Sequence, residues 1–378
     1  MFKKLPKVYK DAILIIAVTL VSSFVLYMPF LLKQDNWIGL HIEEKSMNTI
    51  YKHYDGPLYI VPAKSWYNPK VIEALHTELS LGWEYYAAHL PLYPVFIALF
   101  AGVMNHLQAM LVTNLLFTVF LALFFYYFVR KFKLSQKPLL LTIVFLFLPR
   151  FFVVRSVGAP ESLFILLILL SLFFFEKKNF LLAGLFGGLS VATKTPGLLL
   201  FIAYGFVVGE EFLKTRRINW QWMYLLLIPT GLMSVFALYA VQYQNFWAYF
   251  NSGDNIHLVA PYSVFNFQKT WVSTAWLEEI IFYYGLYILT VIQLWKSEHR
   301  SLFYFSLVFL TATLFVQHRD ISRYALPLWP MALIAYDKFF TSKKFLLMLI
   351  ILLPGIFMYV WNMLLYNVLP ISDWKSLL

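Results

Sequence analysis

From Ala12 to Tyr366 the sequence is a succession of apolar runs of about 14 to 22 residues, and the longer ones reach the roughly 20 residues a helix needs to cross about 30 Å of hydrocarbon. A water-soluble core has no use for so many. Within a bilayer each backbone polar group must be satisfied by the protein itself, which leaves helices as the structure for runs of this kind. The composition agrees: 61% of the 378 residues are hydrophobic and 13% are charged. A formal net charge of +11 would suggest nucleic acid in a soluble domain, but here Lys and Arg stand in short clusters between apolar runs, where the positive-inside rule accounts for them. With no cysteine in the chain, a disulfide framework, Cys-ligated zinc and a thiol nucleophile are excluded.

The opening MFKKLPKVYKD imitates a signal peptide, yet the run from Ala12 to Leu32 is too long and lacks a small-x-small cleavage site, so it reads as an uncleaved first helix. With the amino terminus in the cytoplasm, the clusters at Arg130 to Lys133, Lys177-Lys178, Lys214 to Arg217, Lys296 with Arg300, and Lys338 with Lys343-Lys344 all belong inside. This demands an odd number of crossings between the first helix and Arg130, where two apolar segments lie, Pro91 to Val103 and Met110 to Val129. The first is shorter and carries Pro91 and Pro94, so it is expected to be a re-entrant or juxtamembrane helix on the outer side. Further spans are expected near residues 138–154, 160–175, 180–193, 196–209, 222–243, 277–295, 301–316, 324–336 and 345–366. The expected fold is all-α and polytopic, with about eleven transmembrane helices in one domain over residues 1–378 and a long first outer loop at residues 33–89. Neither an internal repeat nor a linker divides it.

In this topology the outer face collects most of the histidines and a set of carboxylates, whereas the inner loops carry mainly Lys and Arg. The inner loops are short and hold no G-x-x-x-x-G-K-[ST] or G-x-G-x-x-G pattern, which argues against an ATP-driven pump and a cytoplasmic nucleotide-sugar enzyme. The first outer loop contains YKHYDGPLY from Tyr51 to Tyr59 and WEYYAAHLPLYP from Trp83 to Pro94, crowded with rings that suit sugar stacking or an interfacial belt. Asp55 before Gly-Pro is also an ordinary turn residue. Beside apolar spans stand Arg150, Arg155, Lys194, Arg319 and Arg323, and charges so near hydrocarbon are costly unless paired or used. Arg319 with Asp320 has mutual neutralisation as the structural alternative, and Arg150 and Arg155 have snorkelling. Lys194 lies in a break beside Pro196 and Gly197, where half-helix ends suit a phosphate. Glu161, after Pro160, is either a helix-start charge or a sugar ligand. His53 with Asp55, and Asp254 with His257, are candidate ligands, but no D-x-D or H-E-x-x-H spacing occurs; a divalent metal is left open and no cofactor is assigned.

The order of YDGPLY, HLPLYPVFI from His89, APESLF from Ala159, SVATKTPGLLL from Ser190, SGDNIHL from Ser252 and HRDISRYALP from His318 resembles the GT-C superfamily of integral membrane glycosyltransferases. It is most similar to prokaryotic relatives of the second mannosyltransferase of the GPI-anchor pathway, and more loosely to the protein O-mannosyltransferases and the lipid A aminoarabinose transferases. The resemblance spans Asp55 to Pro327. It implies transfer of a sugar, expected to be mannose, from a polyprenyl-phosphate donor to an acceptor hydroxyl of a glycan, glycolipid or protein on the outer face of the cell membrane, with inversion. It implies Asp55 as general base, with Glu43 and Glu44 of the same loop as the alternatives. The leaving phosphate then needs cationic donors, for which Arg319, Arg323, Lys194, Arg155 and Arg150 are the candidates. His53, Tyr54, His89, Glu161, Asp254, His257, Asp320 and Tyr324 complete the expected site. The competing expectation is a transporter or flippase of lipid-linked sugars, although internal repeats and mid-membrane charges are missing from the pattern.

Overall fold

The computed structural model describes residues 6–79, 81–253, 258–266 and 268–378. Among them the secondary structure is helical apart from one two-residue hairpin, Asn36–Trp37 paired antiparallel with Leu40–His41. Five helical stretches are long and apolar enough to cross a membrane: Lys7–Leu31 (α1), His106–Lys131, Thr195–Thr215, Trp220–Gln242 and Lys343–Tyr366. The other apolar segments form shorter helices. Leu92–Ala101, with ten residues, rises about 15 Å, half the hydrocarbon thickness. The segment at residues 138–154 is broken at Phe147-Leu148, because Pro149 cannot continue a helix begun at Pro138 and instead starts a new one.

In chain order after α1, the helices that position the site are Gly56–Ser65 (α2), Leu92–Ala101 (α3), His106–Lys131 (α4), Pro138–Leu146 (α5), Pro149–Val154 (α6), Glu161–Glu176 (α7), Phe180–Thr193 (α8), Leu199–Thr215 (α9), Leu227–Gln242 (α10), Glu278–Leu294 (α11), Arg300–Leu314 (α12), Ile321–Tyr324 (α13), Trp329–Ala335 (α14) and Lys343–Tyr366 (α15). Helix α8 packs against α7 on one side and α10 on the other. The second contact is a close one: a Cβ on Gly231 would come within 2.5 Å of the Gly188 carbonyl oxygen, so two glycines bring the backbones together as small residues do in membranes.

Polar side chains inside this apolar body fasten irregular turns. Asn114 of α4 donates to the carbonyls of Val154 (2.7 Å) and Val157 (2.5 Å), satisfying the chain between α6 and α7. Tyr27 of α1 donates to Ser156 O at 2.8 Å. The stretch expected as a long outer loop is mostly ordered: α2 packs against α3 and α4, the short helix Pro69–Ala74 and a 3₁₀ segment at Trp83–Ala88 pack against α2, and the short helix Asn48–Tyr51 packs against α15. The chain after α15 returns to this layer, where Tyr54 N donates to Asn367 O at 3.1 Å and Leu369 N to Lys52 O at 2.8 Å.

Candidate active site

Asp55 is the N-cap residue of α2, with Pro57 in the first turn, a position where an aspartate ordinarily accepts from a backbone N–H of its own helix. It makes no such bond. The preceding Tyr54 has φ 51°, a left-handed conformation costly for an aromatic residue, and the carboxylate is turned across the molecule to Arg323. On the opposite wall, α8 ends at Lys194 in extended backbone before Thr195-Pro196-Gly197 start a 3₁₀ turn. Only glycine fits at Gly197, since a Cβ there would lie 2.6 Å from Val191 N. The break therefore releases Lys194 from the helix and aims its side chain at Glu161, the first residue of α7.

Four side chains form one ion cluster. Arg323 Nε donates to Glu161 Oε1 at 2.7 Å and its Nη1 to Asp55 Oδ2 at 3.1 Å, while Lys194 Nζ donates to the same Glu161 Oε1 at 2.8 Å. Glu161 and Arg323 are buried, whereas the Asp55 side chain is 38% open to an adjoining cavity. A second cluster adjoins the first. Arg150 pairs with Asp320 and donates through Nη1 to Tyr54 OH at 2.6 Å and through Nε to Ser322 Oγ at 3.1 Å. Arg323 lies over the Tyr54 ring, 4.6 Å from its centre, so this tyrosine joins the two clusters by a hydrogen bond on one side and a cation–π contact on the other.

Burial pushes the Asp55 carboxyl up, but the Arg323 guanidinium, with its hydrogen bond and the nearby His89, outweighs this and holds Asp55 below its usual range, against Glu161. It is ionised at neutral pH. Burial lowers His89 to about 4, so that ring is neutral beside the carboxylate. His318 is lowered mainly by burial, and its Nδ1 accepts from Asp320 N–H at 3.0 Å, which puts the neutral ring's proton on Nε2.

Two cavities meet at these groups. One, of about 560 Å³, is polar and is lined by Asp55, His89, Arg150, Arg319, Asp320 and Glu279 among others. The other, of about 330 Å³, is walled by apolar side chains such as Phe164, Leu199, Phe236, Phe309 and Leu326. Lys194, Arg323 and Tyr324 line both. An occupant with an anionic group at these three residues would have an apolar part on one side and a polar part on the other.

Of the residues expected from the sequence, Asp55, Tyr54, His89, Arg150, Glu161, Lys194, Arg319, Asp320, Arg323 and Tyr324 gather here. Asp320 pairs with Arg150, not with its neighbour Arg319. Arg155 is placed elsewhere: it is fully buried, donates to Ser22 Oγ (2.8 Å), Ser23 Oγ (3.1 Å) and Leu146 O (3.2 Å), and stacks on Phe152, tying α1 to α6 without facing either cavity. Glu44 pairs with Lys52 at 2.5 Å and Glu43 is exposed, both outside the cavity lining. His53 is buried behind it with Nε2 on Met363 O at 2.9 Å, and burial lowers it to about 3. Asp254 and His257 lie outside the described residues. Among the described residues no three His, Asp or Glu side chains gather as a metal-binding set. The sequence reading missed Glu279, Tyr366 and Asn367, which also line the polar cavity, as does Tyr59 from the ring-rich stretch. Glu279 opens an apolar helix beside Glu278, a pattern indistinguishable from ordinary helix-start acids. No protein-family model matches the chain, and no curated protein matches it significantly.

Proposed function

We propose that the chain is a membrane glycosyltransferase that takes a sugar, expected to be mannose, from a polyprenyl phosphate and passes it to an acceptor hydroxyl on the non-cytoplasmic face, with the shorter apolar helices completing about eleven crossings of a GT-C-type body. What carries this reading is the Lys194–Glu161–Arg323–Asp55 cluster at the junction of an apolar and a polar cavity. A polyprenyl-phosphate sugar has the same order of parts: an apolar chain, an anionic link and a polar sugar.

The chemistry follows from donor and acceptor counting. Arg323 has five N–H donors and spends two on carboxylates, and Lys194 spends one of three on Glu161, which leaves donors for phosphate oxygens. Glu161 acts through these cations: by accepting from both, it fixes their separation and offsets their repulsion. The acceptor oxygen attacks the anomeric carbon, the bond to the phosphate oxygen breaks with its electron pair leaving on the phosphate, and Asp55 takes the acceptor proton. The two cations meet the negative charge that grows on the leaving group, the term that usually matters most in such a step. Arg150 and Asp320, with Tyr54 between them and Arg323, hold the wall that carries Asp55.

The test is incubation of the purified protein with radiolabelled polyprenyl-phosphate sugars and candidate glycolipid acceptors, followed by identification of the product. Labelled product supports transfer. Movement of the labelled lipid between leaflets of proteoliposomes, without product under any acceptor, would assign the protein to transport instead.

A further inference from the structure

At the other end of α1 and α4 lies a cavity of about 520 Å³ that the transfer reaction does not use. Helix α1 starts here at Lys7 and reaches the Ser156 carbonyl, between α6 and α7, through Tyr27; helix α4 ends here at Arg130 and reaches the same stretch through Asn114. The lining has two chemistries. Lys7 and Asp11 of α1, Tyr126 and Arg130 of α4, and Lys137 at the start of α5 form a polar wall, while α5 contributes an apolar one that includes Leu139.

The polar wall is arranged around a carboxylate. Asp11 is buried near the start of a membrane-length helix, where an unpaired charge is expensive, and it accepts from Tyr126 OH at 2.7 Å. Lys7, Arg130 and Lys137 against Asp11 are three cations to one anion, two positive charges in excess. Lys137 spends one of its three donors on Thr341 O at 3.0 Å. All three cationic side chains are exposed, and Lys137 keeps two N–H donors beyond the one on Thr341. A positive-inside charge bias accounts for basic residues at this end, but it requires neither a cavity nor a buried acid between them.

We propose that this cavity binds the headgroup of an anionic membrane phospholipid, its phosphodiester held by Arg130, Lys137 and Lys7 and its acyl chains lying along the apolar start of α5. The shared chemistry is a phosphate-bearing anion. The apolar wall selects a lipid over a free ion, because a soluble phosphate would leave that surface uncovered. The inference is independent of the glycosyl-transfer reading and holds for a transporter equally.

The test uses the full chain purified in detergent and three probes: phosphatidylglycerol, phosphatidylcholine and inorganic phosphate. Retained lipid is read by native mass spectrometry and stabilisation by thermal unfolding. Phosphatidylglycerol is expected to be retained and to raise the unfolding temperature, whereas phosphatidylcholine and inorganic phosphate do neither. Arg130→Gln and Lys137→Gln should each weaken retention about fivefold, the effect of one basic residue near an anionic lipid surface. Asp11→Asn keeps an acceptor for Tyr126 and removes the opposing charge, so it should tighten retention, a gain that misfolding cannot imitate. Equal retention of phosphatidylcholine, competition by millimolar inorganic phosphate, or unchanged retention in both charge-removal variants overturns the proposal.

Discussion

Arg323 donates to Asp55 at 3.1 Å across 268 residues of chain, joining the start of α2 to a four-residue helix near the other end of the sequence. The contact does three things at once. It takes the Asp55 carboxylate away from its helix N-terminus, sets its charge state, and places it beside the cations that border the apolar cavity. Tyr54 is held left-handed between Arg150 and Arg323, so the conformation that aims Asp55 is fixed by the same arginines that it faces. Geometry of this sort costs strain, and such strain persists where surrounding contacts over-determine it.

If Asp55 takes the acceptor proton, Asp55→Asn retains the shape and the acceptor oxygen for Arg323 but removes the basicity. Transfer should fall by at least about 10² while binding of the polyprenyl-phosphate sugar survives. Both quantities are measured on one detergent preparation. Turnover within a few-fold of the parent would reduce Asp55 to a turn residue, for which asparagine is well tolerated.

Arg155 separates structure from catalysis among the basic residues. It sits in a sealed pocket with two serines and a carbonyl, so Arg155→Met should leave the donor KM unchanged and lower stability by on the order of 2 kcal/mol through the polar groups left without partners. Kinetics and thermal unfolding of the variant check this together. A several-fold rise in donor KM at unchanged stability would return Arg155 to the donor site.

Much of this was legible in the sequence, and the limits have physical causes. The apolar runs fix the helices because a bilayer allows little else, and the expected segments at 160–175, 180–193 and 345–366 match α7, α8 and α15 within two residues at each end. The order of the YDGPLY, APESLF, ATKTPG and HRDISRY stretches also pointed to residues that the fold brings together. Partnership was not legible. Arg150 and Arg155 lie on one short helix, α6, five residues and so about 140° apart around it, and one enters the cavity while the other enters the helix packing. Asp320 could be matched with the adjacent Arg319 by spacing alone, whereas the partner in space is 170 residues away.

The parity of the membrane crossings can be checked because the chain has no cysteine of its own. Val103, 82% exposed, follows the ten-residue helix α3, and Lys70 lies in the short helix Pro69–Ala74 of the stretch expected outside. Val103→Cys and Lys70→Cys should both react with an impermeant maleimide added from outside, while Lys133→Cys should react after the membrane is opened. Labelling of Val103→Cys from the cytoplasmic side alone would mean that α3 crosses the bilayer and that the orientation of every later segment reverses.

The acid side of the pH profile tests the Asp55–Arg323 contact. A general base works only when ionised, and Asp55 is held below its usual range by Arg323 in spite of burial. In the parent protein kcat/KM should therefore stay level on acidification until below about pH 4, the ordinary carboxylate value, and then fall as Asp55 takes a proton. In Arg323→Gln the largest lowering influence is gone and burial is left to raise the carboxyl, so the acid limb should move upward, with activity lost at a pH where the parent is still level. Residual transfer in the variant, followed from pH 4 to 8, gives the shift directly, and it is separable from the lower rate because it concerns the shape of the curve. A variant with reduced activity and an unmoved acid limb would show that the group titrating in the profile is not the carboxylate that Arg323 holds.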